Sequence, residues 1–475
     1  MAVYETVIGL EIHVELNTKS KIFCSCSTAF GAEPNVNTCP VCIGLPGVLP
    51  VLNEEVVHLA VKAGNALGCE INLINKMDRK NYFYPDLPKA YQISQFDLPI
   101  CTGGFVEVTA QGEKTRVNLT RIHIEEDAGK LIHLEDEAYT LVDYNRGGVP
   151  LIEIVTEPDI RSAEEAVAFL KQLRSILVYS GISDCRMEQG SMRADVNISL
   201  RKAGTSVLNT KVEIKNMNSI KEVYKAIKKE ESRQLQLYSY GEGHKVVQET
   251  RRWDQAKGRT LAMRSKEDAH DYRYFPEPDL PPVRIDREWV LQIRSSLPEL
   301  PVDRKKRMMA AYGLRETDVD ILIEEKMIAD FFEATVALSR EPRESANWII
   351  TEVLRVMKNQ EKVPLTPEQL SDLILEVKKG TVSRTAAKEV FEALINQEKS
   401  TGALIEGMGL NQISSAQTLE AVIEEVIEEF PQALSDYRAG RTQSFGFLMG
   451  QCMKATKGKG NPGIVKAILE RKLKE

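Results

Sequence analysis

Residues 5–16 alternate between two kinds of side chain. At every second position the chain is apolar apart from one threonine: Thr6, Ile8, Leu10, Ile12, Val14 and Leu16. The intervening positions include the ionisable residues Glu5, Glu11, His13 and Glu15. Side chains on a strand point alternately to its two faces, so this pattern predicts a β-strand with an apolar back and an ionisable front. A strand whose polar face simply meets water would show the same pattern.

The pattern recurs along the first half of the chain. The further segments with one polar face are 121–125, 192–201 and 211–216, and 151–155 holds one carboxylate inside an apolar strand. A face that only meets water tends toward Thr, Lys, Gln and Ser, whereas these faces repeat Glu, Asp, His, Arg and Asn. We therefore expect a curved antiparallel sheet whose concave polar face is a functional site.

Helical signals occur between the predicted strands in the first half and dominate the second half. Asn53 and Ser162 are typical caps for helices over 54–67 and 163–179. From about residue 299, apolar positions recur at helical spacing, as in 303–312, 325–338 and 367–378. The sequence predicts an α+β fold: a sheet domain over 1–295, an all-helical domain over 296–405 and a small helical tail domain over 406–475.

Two stretches, 78–96 and 271–279, combine aromatic, basic or acidic residues with proline and match neither a simple strand nor a helix. The composition of 78–96 predicts a rigid loop that touches a ligand, and 271–279 is a second aromatic and charged loop. Arg79, Lys80 and Lys89 would contact phosphate or carboxylate, and tyrosine rings would stack. The alternative is an aromatic core packed around a proline turn.

The composition is that of an ordinary globular protein. The chain has 475 residues, 43% hydrophobic and 28% charged, with a net charge of −7. This length predicts two to four domains, and the charge argues against indiscriminate nucleic-acid binding by the whole chain. No apolar run reaches the roughly 18 residues of a membrane span, and the N-terminus enters a strand directly. We expect a cytoplasmic protein without a membrane segment.

The last 23 residues form a local exception to the acidic balance. They contain seven basic residues against two acids, and 454–462 is a glycine-rich basic loop ahead of a helix. Lys454, Lys457, Lys459 and Asn461 could meet a phosphate backbone there. A solvated basic tail is the alternative.

Four of the eight cysteines fall within nineteen positions, at Cys24, Cys26, Cys39 and Cys42. In a chain without a secretion signal, such clustering favours metal over disulfides, and Cys-x-x-Cys is the usual half of a structural zinc site. A zinc ion closed by four thiolates would stabilise the loop 24–42 and perform no chemistry. Four reduced, packed cysteines are the alternative.

The carboxylates that share a sheet face with His13 suit a hard divalent cation such as Mg²⁺. Three basic residues, Lys80, Arg193 and Lys215, would offset phosphate charge. The combination suggests ATP-dependent phosphoryl transfer, in which the protein mainly positions and neutralises. The sequence contains neither a Gly-x4-Gly-Lys-Ser/Thr loop nor the protein-kinase motifs, so nucleotide would bind through metal and sheet.

Five longer motifs, in order along the chain, resemble one known family. They are VIGLEIHVEL (7–16), NYFYPDLPKAYQISQ (81–95), HIEEDAGK (123–130), PLIEIVTEPD (150–159) and DYRYFPEPD (271–279). They closely resemble the B subunit of the tRNA-dependent aspartyl/glutamyl-tRNA amidotransferases, over the whole chain.

The resemblance implies a heterotrimer. An amidase-class A subunit would release ammonia from glutamine, a small C subunit would brace the pair, and the B subunit would bind Glu-tRNA(Gln) or Asp-tRNA(Asn). ATP would phosphorylate the side-chain carboxylate, and ammonia would displace the phosphate. A non-catalytic tRNA-binding scaffold within the same complex is the alternative.

The resemblance also implies a cradle domain like glutamine synthetase and assigns candidate residues by motif. The catalytic and ATP-handling candidates are Glu11, His13, Glu125, Glu126 and Glu153, with Glu11, His13, Glu126 and Glu153 as magnesium ligands. The substrate or ammonia-gate candidates are Lys80, Tyr82, Lys89, Tyr91, Asp195, Glu213 and Lys215. The four cysteines would hold zinc, and the basic tail would bind tRNA.

Overall fold

The chain folds as a mixed α/β protein in two compact units, Met1–Pro301 and Val302–Glu475. A computed structural model describes residues 4–134, 137–263, 272–357, 362–395, 397, 399–413, 415–456 and 458–474. Lys457, Asp271 and the three residues before the first strand lie outside these ranges. The boundaries at 295 and 405, and the likeness to glutamine synthetase, stay predictions.

The first unit contains the strands. In chain order they are β1 (Tyr4–Glu15), β2 (Glu70–Ile71), β3 (Ile74–Asn75), β4 (Asp78–Asn81), β5 (Tyr91–Ser94), β6 (Cys101–Thr102), β7 (Phe105–Ala110), β8 (Glu113–Glu126), β9 (Lys130–His133), β10 (Thr140–Asp143), β11 (Pro150–Thr156), β12 (Met192–Lys202), β13 (Val212–Lys215), β14 (Glu249–Asp254), β15 (Arg259–Ala262), β16 (Phe275–Pro276) and β17 (Val283–Arg284). Its helices are α1 (Glu54–Ala66), α2 (Ala163–Tyr179), α3 (Ile220–Ser239) and α4 (Arg287–Ser295).

The large sheet has the order β15-β14-β13-β12-β1-β11-β8-β6-β2, with β7 also paired to β8. Its pairs are antiparallel except β13 and β14, which run parallel. The prediction of a purely antiparallel sheet is therefore wrong at this edge. Helix α3 lies between β13 and β14 in sequence, and such a crossover returns the chain in the same direction, as parallel pairing requires.

Strand β1 lies in the middle of this sheet and shows the predicted alternation. Ile8, Leu10, Ile12 and Val14 are buried in the main apolar cluster, while Glu11, His13 and Glu15 are only partly buried. Helices α1 and α3 pack against β8 and β12. The predicted caps of α1 and α2 are confirmed: the side chains of Asn53 and Ser162 accept from backbone N–H groups in the first turns of these helices. The opposite face of the sheet remains available for polar side chains.

The two aromatic stretches predicted as loops pair with each other. Strands β4 and β5 form a hairpin, and β16 adds to β4 with Phe275 opposite Arg79. Arg79 donates to both carboxylate oxygens of Glu277, over 2.6 and 2.9 Å, and its guanidinium lies 4.2 Å from the Tyr91 ring centre. The prediction of a loop is wrong for these segments because a partner about 200 residues away supplies the ladder, which local composition does not reveal.

The second unit is helical throughout its described residues. Its helices are α5 (Pro301–Tyr312), α6 (Glu316–Leu322), α7 (Lys326–Ser339), α8 (Pro342–Trp348), α9 (Leu354–Met357), α10 (Pro367–Lys379), α11 (Arg384–Leu394), α12 (Thr401–Gly407), α13 (Ala416–Glu429), α14 (Pro431–Arg438), α15 (Gln443–Ala455) and α16 (Pro462–Lys474). Two apolar clusters form here, one from helices between α5 and α12 and one from α13, α15 and α16. None of the helices in the described ranges is long and apolar enough to cross a membrane.

Candidate active site and metal centre

Three ionisable side chains lie side by side across the centre of the sheet. His13 on β1 is directly opposite Glu153 on β11, and Glu153 is directly opposite His123 on β8. Glu125 follows two positions after His123, so it projects from the same face of β8. Strand pairing, rather than loop geometry, therefore fixes this cluster.

The two carboxylates bridge the two imidazoles. The His13 Nε2 atom lies 3.2 Å from Glu125 Oε1 and 3.3 Å from Glu153 Oε2. On the other side, His123 Nε2 lies 3.7 Å from Glu125 Oε2 and 3.4 Å from Glu153 Oε2. Arg121 donates through Nε to His123 Nδ1 over 3.3 Å, which holds the ring in place. His123 belongs to the predicted polar face, but the sequence did not single it out as a site residue.

Burial and mutual attraction set the protonation of this cluster. Burial alone would lower the pKa of His13, but hydrogen bonds with Glu125 and Glu153 raise that pKa to about 10. Burial would raise the pKa of both carboxyl groups, but hydrogen bonds with the two histidines hold those pKa values well below the usual range. Two ionised carboxylates at neutral pH thus lie side by side in a largely buried position.

The donor set fits a divalent cation. One ligand atom from each of His13, Glu125 and Glu153 can be chosen so that all lie within 4.8 Å of one another. Carboxylate oxygens are the ligands that Mg²⁺ prefers, and an imidazole nitrogen is compatible with Mn²⁺ and other transition metals. Glu11, also predicted as a ligand, instead accepts from Asn197 Nδ2 over 2.9 Å, and burial together with Glu153 raises its pKa.

Glu126 lies on the other side of β8 from Glu125. Its carboxylate pairs with the ammonium of Lys89 and accepts from the backbone N–H of Ile93 over 2.9 Å. Consecutive residues on a strand point to opposite faces, so Glu125 and Glu126 cannot both join the His13 cluster. The structure does not bring Glu126 to the group in which the sequence placed it as a magnesium ligand. Glu125 is two positions from His123 on the same strand, and this spacing is the sequence signal that places Glu125 in the cluster.

Four of the seven predicted substrate or ammonia-gate residues divide in the same way. Lys89 and Tyr91 line a cavity with Glu126, while Lys80 and Tyr82 belong to the Glu125 side. Burial opposes protonation of Lys80, but Glu125 and Glu153 raise its pKa, which places its ammonium in their field. Burial raises the pKa of Tyr82, with a further contribution from Glu125.

The described part of the last motif, residues 272–279, places aromatic rings beside Lys80. Its ammonium lies 5.1 Å from the ring centre of Tyr272, and Tyr272 contacts the rings of Tyr82 and Tyr274 edge-on. Tyr274 in turn stacks on Phe96. This wall separates Lys80 from bulk water on one side, a role that sequence composition alone did not assign to these tyrosines.

Asp195, Glu213 and Lys215 form a separate group farther along the sheet. The ammonium of Lys215 lies 2.9 Å from Asp195 Oδ2 and 3.0 Å from Glu213 Oε1. Burial would lower the pKa of Lys215, but these two carboxylates raise it. Asp195 is directly opposite Glu11 on β1, so the polar face continues from the His13 cluster to this group.

A further charged group lies at the other end of β1, beyond His13. Arg193 donates through Nη1 to Asp127 Oδ2 over 2.8 Å, and Arg146 Nε lies 3.5 Å from the same oxygen. Burial and the neighbouring Asp127 raise the pKa of Glu15 to about 8, although both arginines oppose the shift. Arg193 was predicted to face phosphate, whereas Glu15, Asp127 and Arg146 were not identified from the sequence. Glu15 could have been identified from the sequence, because it follows His13 by two positions and therefore lies on the same face of β1.

The four clustered cysteines converge as predicted. One sulfur from each of Cys24, Cys26, Cys39 and Cys42 lies within 4.8 Å of the others. Sulfurs around a tetrahedral Zn²⁺ stand about 3.8 Å apart, so the arrangement fits a zinc ion. A hydrogen bond with Cys24 is the main cause that lowers the pKa of Cys42, to about 4.

The predicted tail residues are partly structural. Asn461 accepts through Oδ1 from the N–H of Gly463 over 3.0 Å and so caps α16. Lys454 and Lys459 are exposed. Lys457, the fourth candidate, lies outside the described residues.

Comparison with known proteins identifies relatives over nearly the whole chain. A family model described as the GatB/GatE catalytic domain matches residues 6–291, and one described as the GatB domain matches residues 330–473. The B subunit of the aspartyl/glutamyl-tRNA(Asn/Gln) amidotransferase of Clostridium beijerinckii is 58% identical over 476 residues, covering 99% of each chain. The protein of the same name from Carboxydothermus hydrogenoformans is 52% identical over 480 residues, covering 100% of this chain and 99% of its own.

Proposed function

The chain belongs to the GatB family, and from this premise we propose that it is the B subunit of a heteromeric aspartyl/glutamyl-tRNA(Asn/Gln) amidotransferase. Amidotransferases of this family depend on ATP. Within the complex, this chain binds tRNA charged with Glu or Asp and carries the site where the side-chain carboxylate becomes an amide. An amidase-class A subunit supplies ammonia, and a small C subunit braces the pair.

The observation that carries the proposed chemistry is the row formed by His13, Glu153 and His123, with Glu125 beside it. A carboxylate is a poor acyl donor because its oxygen leaves badly. Transfer of the γ-phosphoryl group from ATP to that oxygen gives an acyl phosphate and ADP, and attack by ammonia on the carbonyl carbon then releases phosphate. A divalent cation held by His13, Glu125 and Glu153 would lower the repulsion between the substrate carboxylate and the γ-phosphate.

The chain's own cations serve the same reaction. Lys80 faces Glu125 and Glu153, so its ammonium can neutralise charge that develops on the transferred phosphoryl group. The aromatic wall of Tyr272 and Tyr274 beside Lys80 supports exclusion of water. Exclusion is needed because hydrolysis of the acyl phosphate would waste ATP.

The other side of β8 suits the supply of ammonia. Lys89, Tyr91 and Glu126 line the cavity there. Glu125 and Glu126 are neighbours on β8 whose side chains point to opposite faces of the sheet. The cavity offers both a cation and a carboxylate, which can exchange a proton with ammonia or ammonium. We assign Lys89, Tyr91 and Glu126 to an ammonia gate, and Lys80 and Tyr82 to the substrate side.

The remaining predicted groups have supporting roles. Zn²⁺ held by the four cysteines would stabilise the loop 24–42, since a tetrathiolate site has no open position for catalysis. Asp195, Glu213 and Lys215 extend the polar face toward nucleotide. The exposed Lys454 and Lys459 of the second unit would contact the tRNA backbone.

The deciding experiment measures ATP hydrolysis by the complete complex with charged tRNA(Gln) or tRNA(Asn), uncharged tRNA or none. Stimulation by charged tRNA alone is expected, and His13→Asn should abolish it while tRNA affinity stays unchanged. If the His13→Asn complex still hydrolyses ATP and forms the amide at the parent rate, the chain is a tRNA-binding scaffold and the catalytic assignment fails.

A further inference from the structure

Lys21 is a fully buried lysine beside the cysteine cluster. Its ammonium lies 3.6 Å from the sulfur of Cys42 and donates to the backbone carbonyl of Tyr144 over 3.1 Å. Within the described part of the chain, no carboxylate forms an ion pair with it. A buried ammonium is costly unless a negative group and hydrogen-bond acceptors compensate it. The sulfur of Cys42 is the contacting group that would carry negative charge when the four cysteines hold a metal ion.

The surrounding backbone fixes Lys21 between the cysteines and the cavity. Gly148, at φ +82°, has no side chain, and a Cβ there would lie 3.6 Å from Lys21 Cδ, 3.7 Å from Cys42 Cβ and 3.9 Å from Glu126 Oε2. Its carbonyl accepts from the N–H of Ile22, next to Lys21, over 2.9 Å. Gly148 therefore lies beside the lysine, a cysteine and the carboxylate paired with Lys89, and all four residues line one cavity.

The loop 24–42 is tied to residues 142–145, which precede Gly148 in the chain. Asn35 donates from its backbone to Asp143 Oδ1 over 3.1 Å and from its side chain to the Val142 carbonyl over 3.0 Å. The Asn145 side chain donates to the Glu33 carbonyl over 2.7 Å. These hydrogen bonds hold residues 142–145 against the loop 24–42. The position of that loop depends in turn on its four cysteine sulfurs.

We propose that Lys21 is a positioning residue for the metal at the four cysteines, offsetting thiolate charge and tying the loaded loop to the wall of the Glu126 cavity. Four thiolates around Zn²⁺ leave two excess negative charges, and a buried ammonium in contact with one sulfur reduces that excess. Groups that contact metal ligands in this way commonly change metal affinity by about 10- to 100-fold when removed. The inference rests on the proposed zinc site but not on the proposed catalysis.

The test compares zinc retention by the full-length parent chain, Lys21→Met and Lys19→Met. Lys19 is exposed and two residues away, so its replacement removes the same charge from the same segment without touching the cluster. Zinc transfer to a chromogenic chelator should require about 10- to 100-fold less chelator for Lys21→Met, and Lys19→Met should match the parent. Equal retention by all three chains would overturn the role of Lys21, whereas a parent chain that binds no zinc would overturn the metal site as well.

A second measurement needs no variant and covers the case in which Lys21→Met fails to fold. The parent chain is treated with a small amine-labelling reagent, with zinc bound and after zinc removal, and labelled lysines are identified by mass spectrometry. Lys21 should be protected only with zinc bound, and Lys19 should be labelled in both. Labelling of Lys21 that is the same in both states would contradict the proposed coupling.

Discussion

Two groups of buried charged side chains, one from each unit, differ in how their charges are compensated. In the first unit, Glu125 and Glu153 lie buried beside each other and share two imidazoles. In the second unit, Arg304 and Glu352 are the buried charged side chains among the described residues, and each has oppositely charged partners on neighbouring helices or turns. Two buried carboxylates side by side add no folding stability that an apolar pair of similar size would not provide. Such a group indicates a site, whereas buried charges that are paired with oppositely charged side chains indicate structure.

The largest expected effect is a difference in activity between variants of two consecutive carboxylates, Glu125 and Glu126. Glu125→Gln should lower charged-tRNA-dependent ATP hydrolysis by about 1,000-fold, because it removes a buried charge at the proposed phosphoryl-transfer site. Glu126→Gln should leave that hydrolysis largely intact but reduce amide formation, because it lies on the cavity side. The measurement is ADP release and amide formation by the same complex.

The exposed Glu107 on β7 offers a matched control. Glu107→Gln should change neither rate. Equal loss of both rates in Glu125→Gln and Glu126→Gln would contradict the division of the site by β8.

The next effect tests the apolar core of the second unit. Leu373 on α10 is fully buried, so Leu373→Ala should lower the free energy of unfolding by about 3 kcal/mol. ATP hydrolysis per folded complex should stay at the parent level. Thermal unfolding and the rate assay check both parts, with the half-exposed Leu338→Ala as the control that should change stability by less than about 0.5 kcal/mol. A rate loss in Leu373→Ala at full folding would mean that the second unit contributes to the chemistry.

The sequence predicted local elements and their faces well. The alternation in β1, the caps at Asn53 and Ser162 and the long helices of the second unit follow from periods of two and 3.6 and from capping chemistry, which act over a few residues. Convergence of the four cysteines was also predictable, since metal ligands that share a loop are close in sequence.

What the sequence could not predict depends on pairing between distant segments. The row of His13, Glu153 and His123 exists because three strands align in one register, and the spacing along each strand does not fix that register. The pairing of β16 with β4, and the contact of Lys21 with Cys42, likewise join segments that carry no shared local signal. The sequence was sufficient to choose between Glu125 and Glu126 as a neighbour of His123, because residues two positions apart on a strand share a face.

A smaller effect concerns the paired charges of the second unit. Burial would raise the pKa of Glu333, but hydrogen bonds with Arg307 and Arg304 lower that pKa below its ordinary range. A carboxyl group with a lowered pKa contributes stability above its unfolded pKa, and that contribution is lost as the pH falls through the folded value. Arg304→Met should therefore cost about 1 kcal/mol at pH 7, reduced by solvent screening, and less at a pH of about 3. Unfolding free energies of parent and variant at both pH values check this, and a difference that grows toward low pH would contradict it.

The smallest effect asks whether any exposed charge of the second unit serves function. Lys459 is exposed beside α16, and Asn461 caps that helix. If Lys459 meets a tRNA phosphate, Lys459→Ala should weaken tRNA binding by the whole complex and make the slope of log affinity against log salt shallower by about one. Asn461→Ala should cost about 1 kcal/mol of stability through the lost cap but leave the slope unchanged. Fluorescence anisotropy with labelled tRNA over a series of KCl concentrations gives both slopes. An unchanged slope in Lys459→Ala would show that this lysine is a solvated surface charge without a role in tRNA binding.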